Sequence, residues 1–376
     1  MSGFFARFAA VFVKEFIQMR RDRLTFAMMI GVPLMQLTLF GFAINADPKD
    51  MPTAVVLADH GPLVRSILHA LENTQRFAIT STASSEAEAE MLLQQGEVQF
   101  VVSVPPHFER DVLRGLRPTL LIEADASDPS AVSYAFAALG SLNTTALDHD
   151  LIGPLADLKG GAPPFDLSVQ RRYNPEAISQ YNIVPGLMGV VLTMTLVVMT
   201  GIAMTRERER GTLENLLATP VRPIEVMLGK ILPFILVGYV QVAIILMAAR
   251  FLFAVPIQGS VAMLSAVAVL FIASNLAMGF TFSTFAETQM QAMQMSMFFF
   301  LPSLLLSGFM FPFRGMPEWA QAIGEVLPLT HFLRIVRGIL LKGNDWIEIW
   351  PNVWPIAAFL LAVALLALAR YRQTLD

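Results

Sequence analysis

Two runs of the chain, Ile183–Thr205 and Ile231–Ala249, contain no Asp, Glu, Lys, Arg or His. Between them lies Arg206–Pro220, in which six of fifteen residues are charged. Each run matches the roughly 20 apolar residues that a helix needs to cross a bilayer. A charged segment between two spans cannot sit in lipid, where every polar group would have to be satisfied internally, so it must emerge at a membrane surface. No soluble fold tolerates this arrangement easily. The composition agrees, with 55% hydrophobic and 15% charged residues in 376 and a mean hydropathy of +0.58.

Six charge-free runs qualify as spans: 24–44, 183–205, 231–249, 259–286, 292–313 and 353–369. The basic stretch before the first reaches Arg23, and the apolar run that follows is too long for a signal-peptide core, so it reads as an uncleaved span. Residues 1–23 place Phe4, Phe5, Phe8, Phe12, Phe16 and Met19 at helical spacing, with Arg7, Lys14 and Arg20 elsewhere. That pattern suits an amphipathic helix in the headgroup plane, or a plain positive flank to the first span. With the N-terminus inside, the inner segments carry twelve basic residues: Arg7, Lys14, Arg20, Arg21, Arg23, Arg206, Arg208, Arg210, Arg222, Lys230, Arg370 and Arg372. The short outer loops carry five: Arg250, Arg314, Arg334, Arg337 and Lys342. The bias places both termini in the cytoplasm.

Residues 45–180 read as a separate domain outside the membrane. Four short β-branched or apolar runs (53–58, 77–82, 98–104 and 119–123) alternate with helical patterns at 62–71, 85–95, 107–114 and 129–151. That alternation predicts an α/β domain with a small sheet. Segment 314–345 is too polar for a span and too apolar for a loop. It predicts two short helices, 319–326 and 331–341, dipping into the outer leaflet, with Arg334 and Arg337 facing headgroups or protein. The expected whole is a polytopic α-helical membrane protein with six transmembrane helices and a periplasmic α/β domain inserted between helices 1 and 2. Five further helices occupy 181–376.

Several chemistries are missing from the sequence. There is no G-x-x-x-x-G-K-[ST], since Gly229-Lys230 lacks the upstream glycine, so no P-loop binds a nucleotide here. The five histidines (His60, His69, His107, His149 and His331) are scattered, and with no cysteine no metal site is expected. Asp125-Ala126-Ser127-Asp128 reads as a helix-capping turn. The spans hold no ionisable residue, which argues against an ion- or proton-coupled transporter. Their polar residues include Gln36, Gln241 and Asn275, which suit either glue between helices or the lining of a substrate path. Within the charged segment, Thr212 can cap a short helix whose face carries Leu213, Leu216 and Leu217, with Glu214 near its positive end. Such a helix can dock in a groove of a partner or cover the inner end of the bundle.

The stretch TRERERGTLENLLATPVRPIEVMLGKI resembles the signature of ABC type-2 exporter permeases, and LPLTHFLRIVRGILLKG resembles that family's segment before the last span. The large outer domain is similar to that of the drug-exporter-like members of Gram-negative bacteria, and unlike the short outer loops of polysaccharide exporters. The resemblance implies a half-transporter in the inner membrane that pairs with a second permease chain and with two separate ATPase subunits. ATP and Mg would be bound by those subunits and no cofactor by this chain. It implies that Glu207, Glu209, Gly211, Thr212, Leu213, Glu214, Leu216 and Leu217 form a coupling helix (206–220), with Glu287-Thr288-Gln289 as a second inner contact. A periplasmic adaptor and an outer-membrane channel would carry the substrate onward. Membrane lipids are expected partners and nucleic acid is not. The competing expectations are a scaffold or sensor whose outer domain binds a ligand, and a secondary transporter. The Phe- and Met-rich spans suit an apolar or amphipathic cargo, although such residues also face lipid.

Overall fold

The computed structural model describes residues 49–127, 129–140, 142–152, 162–209 and 223–371. The expected interfacial helix (1–23) and first span (24–44), with Gln36, lie outside the described residues.

The first half of the described chain is an α/β domain. It runs β1 (Met51–Leu57), α1 (Pro62–Asn73), β2 (Phe77–Ala83), α2 (Glu86–Gln95), β3 (Phe100–Val104), α3 (Phe108–Leu113), β4 (Thr119–Asp125), α4 (Pro129–Leu139), α5 (Leu142–Thr145) and β5 (Asp166–Arg172). The sheet order is β2-β1-β3-β4-β5. Only the β3–β4 pair is antiparallel, with Val102 opposite Ile122, and the other neighbours run parallel. Alternate residues of the central strands feed two cores. Val55, Phe100 and Val102 pack with Leu63, Ile67 and Phe108 on one face, and Ala54 and Val101 pack with Ala89 and Leu93 of α2 on the other. Strands covered on both sides read as continuous apolar runs, which is why β1 and β3 are conspicuous in the sequence. Helix α2 is bounded by local chemistry. The Ser85 hydroxyl accepts from the Glu88 amide, the Glu88 carboxylate accepts from the Ser84 amide, and Gly96 ends the helix at φ 75. The predicted long helix 129–151 is instead two pieces, and the fifth strand was not predicted.

Four described helices are long and apolar enough to cross a membrane: 179–206, 234–251, 261–285 and 346–370. They belong to α6 (Ser179–Glu209), α7 (Pro223–Phe251), α8 (Val261–Phe285) and, at the C-terminal end of the chain, α12 (Trp346–Tyr371). The run expected over 292–313 is realised as α9 (Gln289–Leu306), which starts earlier, ends earlier and is not among these four. Helices α10 (Glu318–Val326) and α11 (Pro328–Arg337) follow, and a π-helical turn, Gly338–Lys342, precedes α12.

Helix α8 is the hub, packing against α6 and α12. At Gly279 an added Cβ would lie 2.6 Å from the Val197 carbonyl oxygen, so only glycine admits this approach of α8 to α6. Phe271 of α8 stacks on Phe332 of α11, with centroids 4.0 Å apart. The π turn frees carbonyls that a normal helix would consume. Leu340 O and Ile339 O accept instead from the amides of Gln258 and Gly259, at 3.0 and 2.9 Å.

The α/β domain is docked on this turn. Lys342 Nζ donates to Asp125 Oδ2 at 2.5 Å and to Leu93 O at 3.2 Å, and Asn344 Nδ2 donates to Gln94 O at 3.1 Å. The Lys342 and Asp125 side chains are only 7% and 10% exposed. Tyr173, at the return from the sheet, lies beneath the ammonium. Burial, and then the charges of Asp125 and Glu90, push its hydroxyl well above the usual tyrosine range. Asp125 Oδ1 accepts from Ser127 N in a local turn, and its second oxygen holds the two halves of the molecule together.

Candidate functional site

Helix α6 leaves the sheet near Ser179 and runs away from the domain. It does not stop where its apolar run ends at Thr205 but continues through the charged residues to Glu209. Arg206–Glu209 therefore continue the helix that carries the span. At this distal end α6 meets the start of α9. Thr288 caps α9 by accepting from Gln291 N, and Gln291 Oε1 accepts from Glu287 N at 2.8 Å. The Glu209 carboxylate then closes the junction. One oxygen accepts from Gln289 N at 2.7 Å, the other accepts from Gln289 Nε2 at 2.6 Å, and Arg206 Nε donates to Gln289 Oε1 at 3.3 Å.

A carboxylate on the first amide of a helix is favoured twice, by the orphan N–H that it satisfies and by the positive end of the helix dipole. The junction is exposed, so water competes for each of these bonds. Glu287 stands exposed beside it. At the same end the Arg370 guanidinium of α12 lies 5.3 Å from the Phe285 ring centroid at the close of α8. This end is a polar rim on an apolar bundle. The residues that would form the rest of the predicted coupling helix, Gly211, Thr212, Leu213, Glu214, Leu216 and Leu217, lie outside the described residues, as does the Glu207 side chain. The structure thus brings Glu209 and the 287–289 loop into one cluster, across eighty residues of sequence between Glu209 and Gln289.

The polar residues expected in the spans behave differently from one another. Gln241 of α7 accepts from Thr195 of α6 at 3.0 Å, a bond between helices. Asn275 is fully buried, and its amide nitrogen donates to Phe271 O on its own helix at 2.9 Å. Its Oδ1 has no partner among the described residues.

The domain end carries a second polar cluster that sequence reasoning located but did not assemble. Glu325 of α10 takes two bonds from Arg334 of α11, at 2.6 and 3.0 Å, and the Arg334 guanidinium lies 4.7 Å from the Phe313 ring centroid. Burial alone would raise the Glu325 carboxyl. Hydrogen bonds and charge from Arg334, with smaller contributions from His331 and Arg314, hold it below the usual range. His331 bridges Asn352 Oδ1 at 3.0 Å and Glu325 O at 2.8 Å. Arg337 donates to Gly308 O at 3.3 Å. Arg334 and Arg337 thus face protein, one of the two settings expected for them. Among the described residues, no group of three or more His, Asp or Glu is placed to hold a metal ion.

A bundle of long apolar helices that carries a folded α/β domain at one end and a polar rim at the other is a polytopic membrane protein. The model of the ABC-2 family transporter proteins matches residues 23–369, and the chain belongs to that family as a transmembrane ABC transporter permease. It is 28% identical over 366 residues to an Escherichia coli protein named "Probable multidrug ABC transporter permease YbhS", covering 96% of this chain and 94% of the relative. It is 27% identical to the one named "Probable multidrug ABC transporter permease YbhR", covering 98% and 99%. With "Inner membrane transport permease YhhJ", also of Escherichia coli, it is 31% identical over 75% of each chain. Membership of the family implies ATPase partner subunits and pairing of permease chains.

Proposed function

We propose that this chain is the permease subunit of an ATP-driven exporter in the bacterial inner membrane. In this reading it has six spans, both termini in the cytoplasm and the α/β domain in the periplasm. The cargo is apolar or amphipathic, a drug, lipid or metabolite, taken from the cytoplasm or the membrane. The multidrug naming of two relatives supports that class. Two permease chains enclose the pathway and two ATPase subunits hydrolyse ATP. A periplasmic adaptor receives the cargo and passes it to an outer-membrane channel.

The observation that carries the reading is the Glu209 carboxylate seated on the first turn of α9. Segment 210–222 follows this residue in the sequence. A push delivered there by a closing ATPase pair acts on α6 and, through Glu209 and Gln289, on α9 as well. Helix α6 also packs against α8, α11 and α7, so a tilt of these two helices repacks the bundle. Coupling of this kind needs contacts that can shift without unfolding, and exposed charge-assisted hydrogen bonds suit it. Gln241 and Asn275 face the interior of the described bundle, and they and Gln36 are the residues to test for the cargo path.

The test is reconstitution of the full chain with its ATPase in sealed vesicles. Extrusion should require ATP, persist with ionophores that collapse ion gradients, and be lost in Gly211→Pro plus Glu214→Lys while the chain still inserts. Unchanged extrusion in that variant overturns the coupling role. Flux that follows an ion gradient without ATP overturns the class of mechanism.

A further inference from the structure

A cavity of about 730 Å³ opens between the α/β domain and the helices that follow α9. Its lining includes Arg314, Arg334, Arg337 and Lys342, the carboxylates of Glu97, Asp125, Glu325 and Glu348, and Gln99 and Asn344 from the domain joint. The carboxylate partner of this arginine group is Glu325, and its two oxygens are occupied by Arg334. Arg314 makes no hydrogen bond or ion pair among the described residues. Burial and the like charge of Arg334 hold its guanidinium below the usual arginine range, with Glu325 opposing. Gln99 Oε1 and Asn344 Oδ1, in the same lining, are buried acceptors that have no donor among the described residues. Asp125 is tied to Lys342 and Glu325 to Arg334, which leaves Arg314 as a guanidinium with no bonded counter-charge in the same cavity as two unpartnered acceptors.

The third observation fixes the depth of the cavity. All four tryptophans of the chain, Trp319, Trp346, Trp350 and Trp354, lie on α10 and the start of α12, and all are exposed. Exposed Trp gathered at one end of apolar helices marks the headgroup layer of a bilayer. Trp354, Ile347, Pro351 and Pro355 form an apolar flank of the cavity, and Ile347 and Trp354 are themselves exposed. A ligand entering here meets apolar side chains continuous with the membrane on one side and arginine on the other.

We propose that this cavity binds the headgroup of a phosphate-bearing amphiphile. The phosphate is taken by Arg314 beside Arg334, a headgroup hydroxyl or ammonium is taken by Gln99 and Asn344, and the tail lies along the Trp354 flank. Guanidinium groups match phosphate oxygens in charge and geometry. Basic pockets between membrane helices are a recognised setting for lipid phosphate. The proposal rests on the reading that this end of the bundle lies at the outer membrane surface.

The experiment uses the full chain in phosphatidylcholine vesicles, without ATPase, so its outcome is independent of whether the protein exports anything. Tryptophan fluorescence reports only on this end of the molecule. Its quenching by dibrominated phosphatidylglycerol, compared with dibrominated phosphatidylcholine, gives a relative binding constant. The expected preference is at least threefold for the anionic lipid. It should fall to about one in Arg314→Glu, which should melt like wild type, and be retained in Arg314→Lys. Millimolar inorganic phosphate should not displace the lipid. Displacement by phosphate would keep the anion site but assign it to a soluble phosphate compound. Equal preference in wild type and Arg314→Glu overturns the proposal. If the chain shows no quenching by either lipid, the end is not at the bilayer surface, and both the proposal and the orientation reading fail.

Discussion

The two ends of the helical bundle are built on opposite principles. At the domain end, Lys342 and Asp125 form an ion pair withdrawn from water, backed by Leu93 O, Gln94 O and the Tyr173 ring. At the distal end, Glu209, Gln289 and Arg206 make bonds of similar length in full contact with solvent. Similar geometry has different consequences in the two settings. A buried charge that loses its partner keeps its desolvation cost, whereas an exposed one is rehydrated. The first end is a clamp that joins two folded units, and the second is a joint that can open and close cheaply. Under the proposed function, the first would seat the outer domain and the second would be the contact where force enters.

The largest effect should come from Lys342→Met, which strands Asp125 in the interface. The expected loss is about 3–5 kcal/mol, the range for breaking a buried pair. It would be read as a fall of several degrees in the apparent Tm of the detergent-solubilised chain. Adding Asp125→Asn, which retains an acceptor for Ser127 N, should recover most of it. If the single variant melts like wild type, the contrast between the ends is wrong. Next is Gly279→Val, which forces α8 away from the Val197 carbonyl of α6. A cost of about 1–3 kcal/mol is expected, as for other overpacked sites, with helices lost before the α/β domain in a limited-proteolysis series.

The Glu325–Arg334 pair should set an acid limit at the domain end. Its carboxyl is depressed, so the stabilisation is complete above the ordinary Glu value of about 4.3 and is lost as pH falls through the depressed value. Glu325 is half-exposed, so the effect is modest. A Tm series from pH 7 to 3 should show wild type converging on Glu325→Gln at the acid end. A gap that stays constant down to pH 3 would remove the pair from the account. The smallest effect on stability belongs to Glu209→Gln, within about 0.5 kcal/mol as for exposed sites. In the same variant, stimulation of the partner ATPase by the permease should fall at least threefold. A large Tm change with normal stimulation would make this end a clamp as well.

Some features were legible because they are local. The apolar runs over 183–205, 231–249 and 259–286 announced helices because charge is too costly in lipid to be scattered through them. Helix α2 was legible from Ser85 and Gly96. Strand β5 was not, because an edge strand with exposed Ser168, Val169, Gln170 and Arg171 lacks the apolar alternation that marks a covered strand. The 129–151 helix was drawn too long because Gly140, where the helix breaks, was read through. The candidate coupling segment was visible by its charge, yet its attachment to Gln289 was not.

The sequence by itself determined that this chain is a helical membrane protein with an α/β domain, since hydrophobic periodicity needs only neighbouring residues to be read, and the motif at 206–220 carried the resemblance to the permease family. The tertiary structure alone decided that β4 runs against β3, that Lys342 finds Asp125 across 217 residues, that Glu209 caps α9, and that Arg314, Arg334 and Arg337 line one cavity with unpartnered acceptors. Those contacts depend on how rigid elements pack after they form. No local pattern records which of many charged side chains will meet, because Coulomb attraction distinguishes sign and distance but not identity.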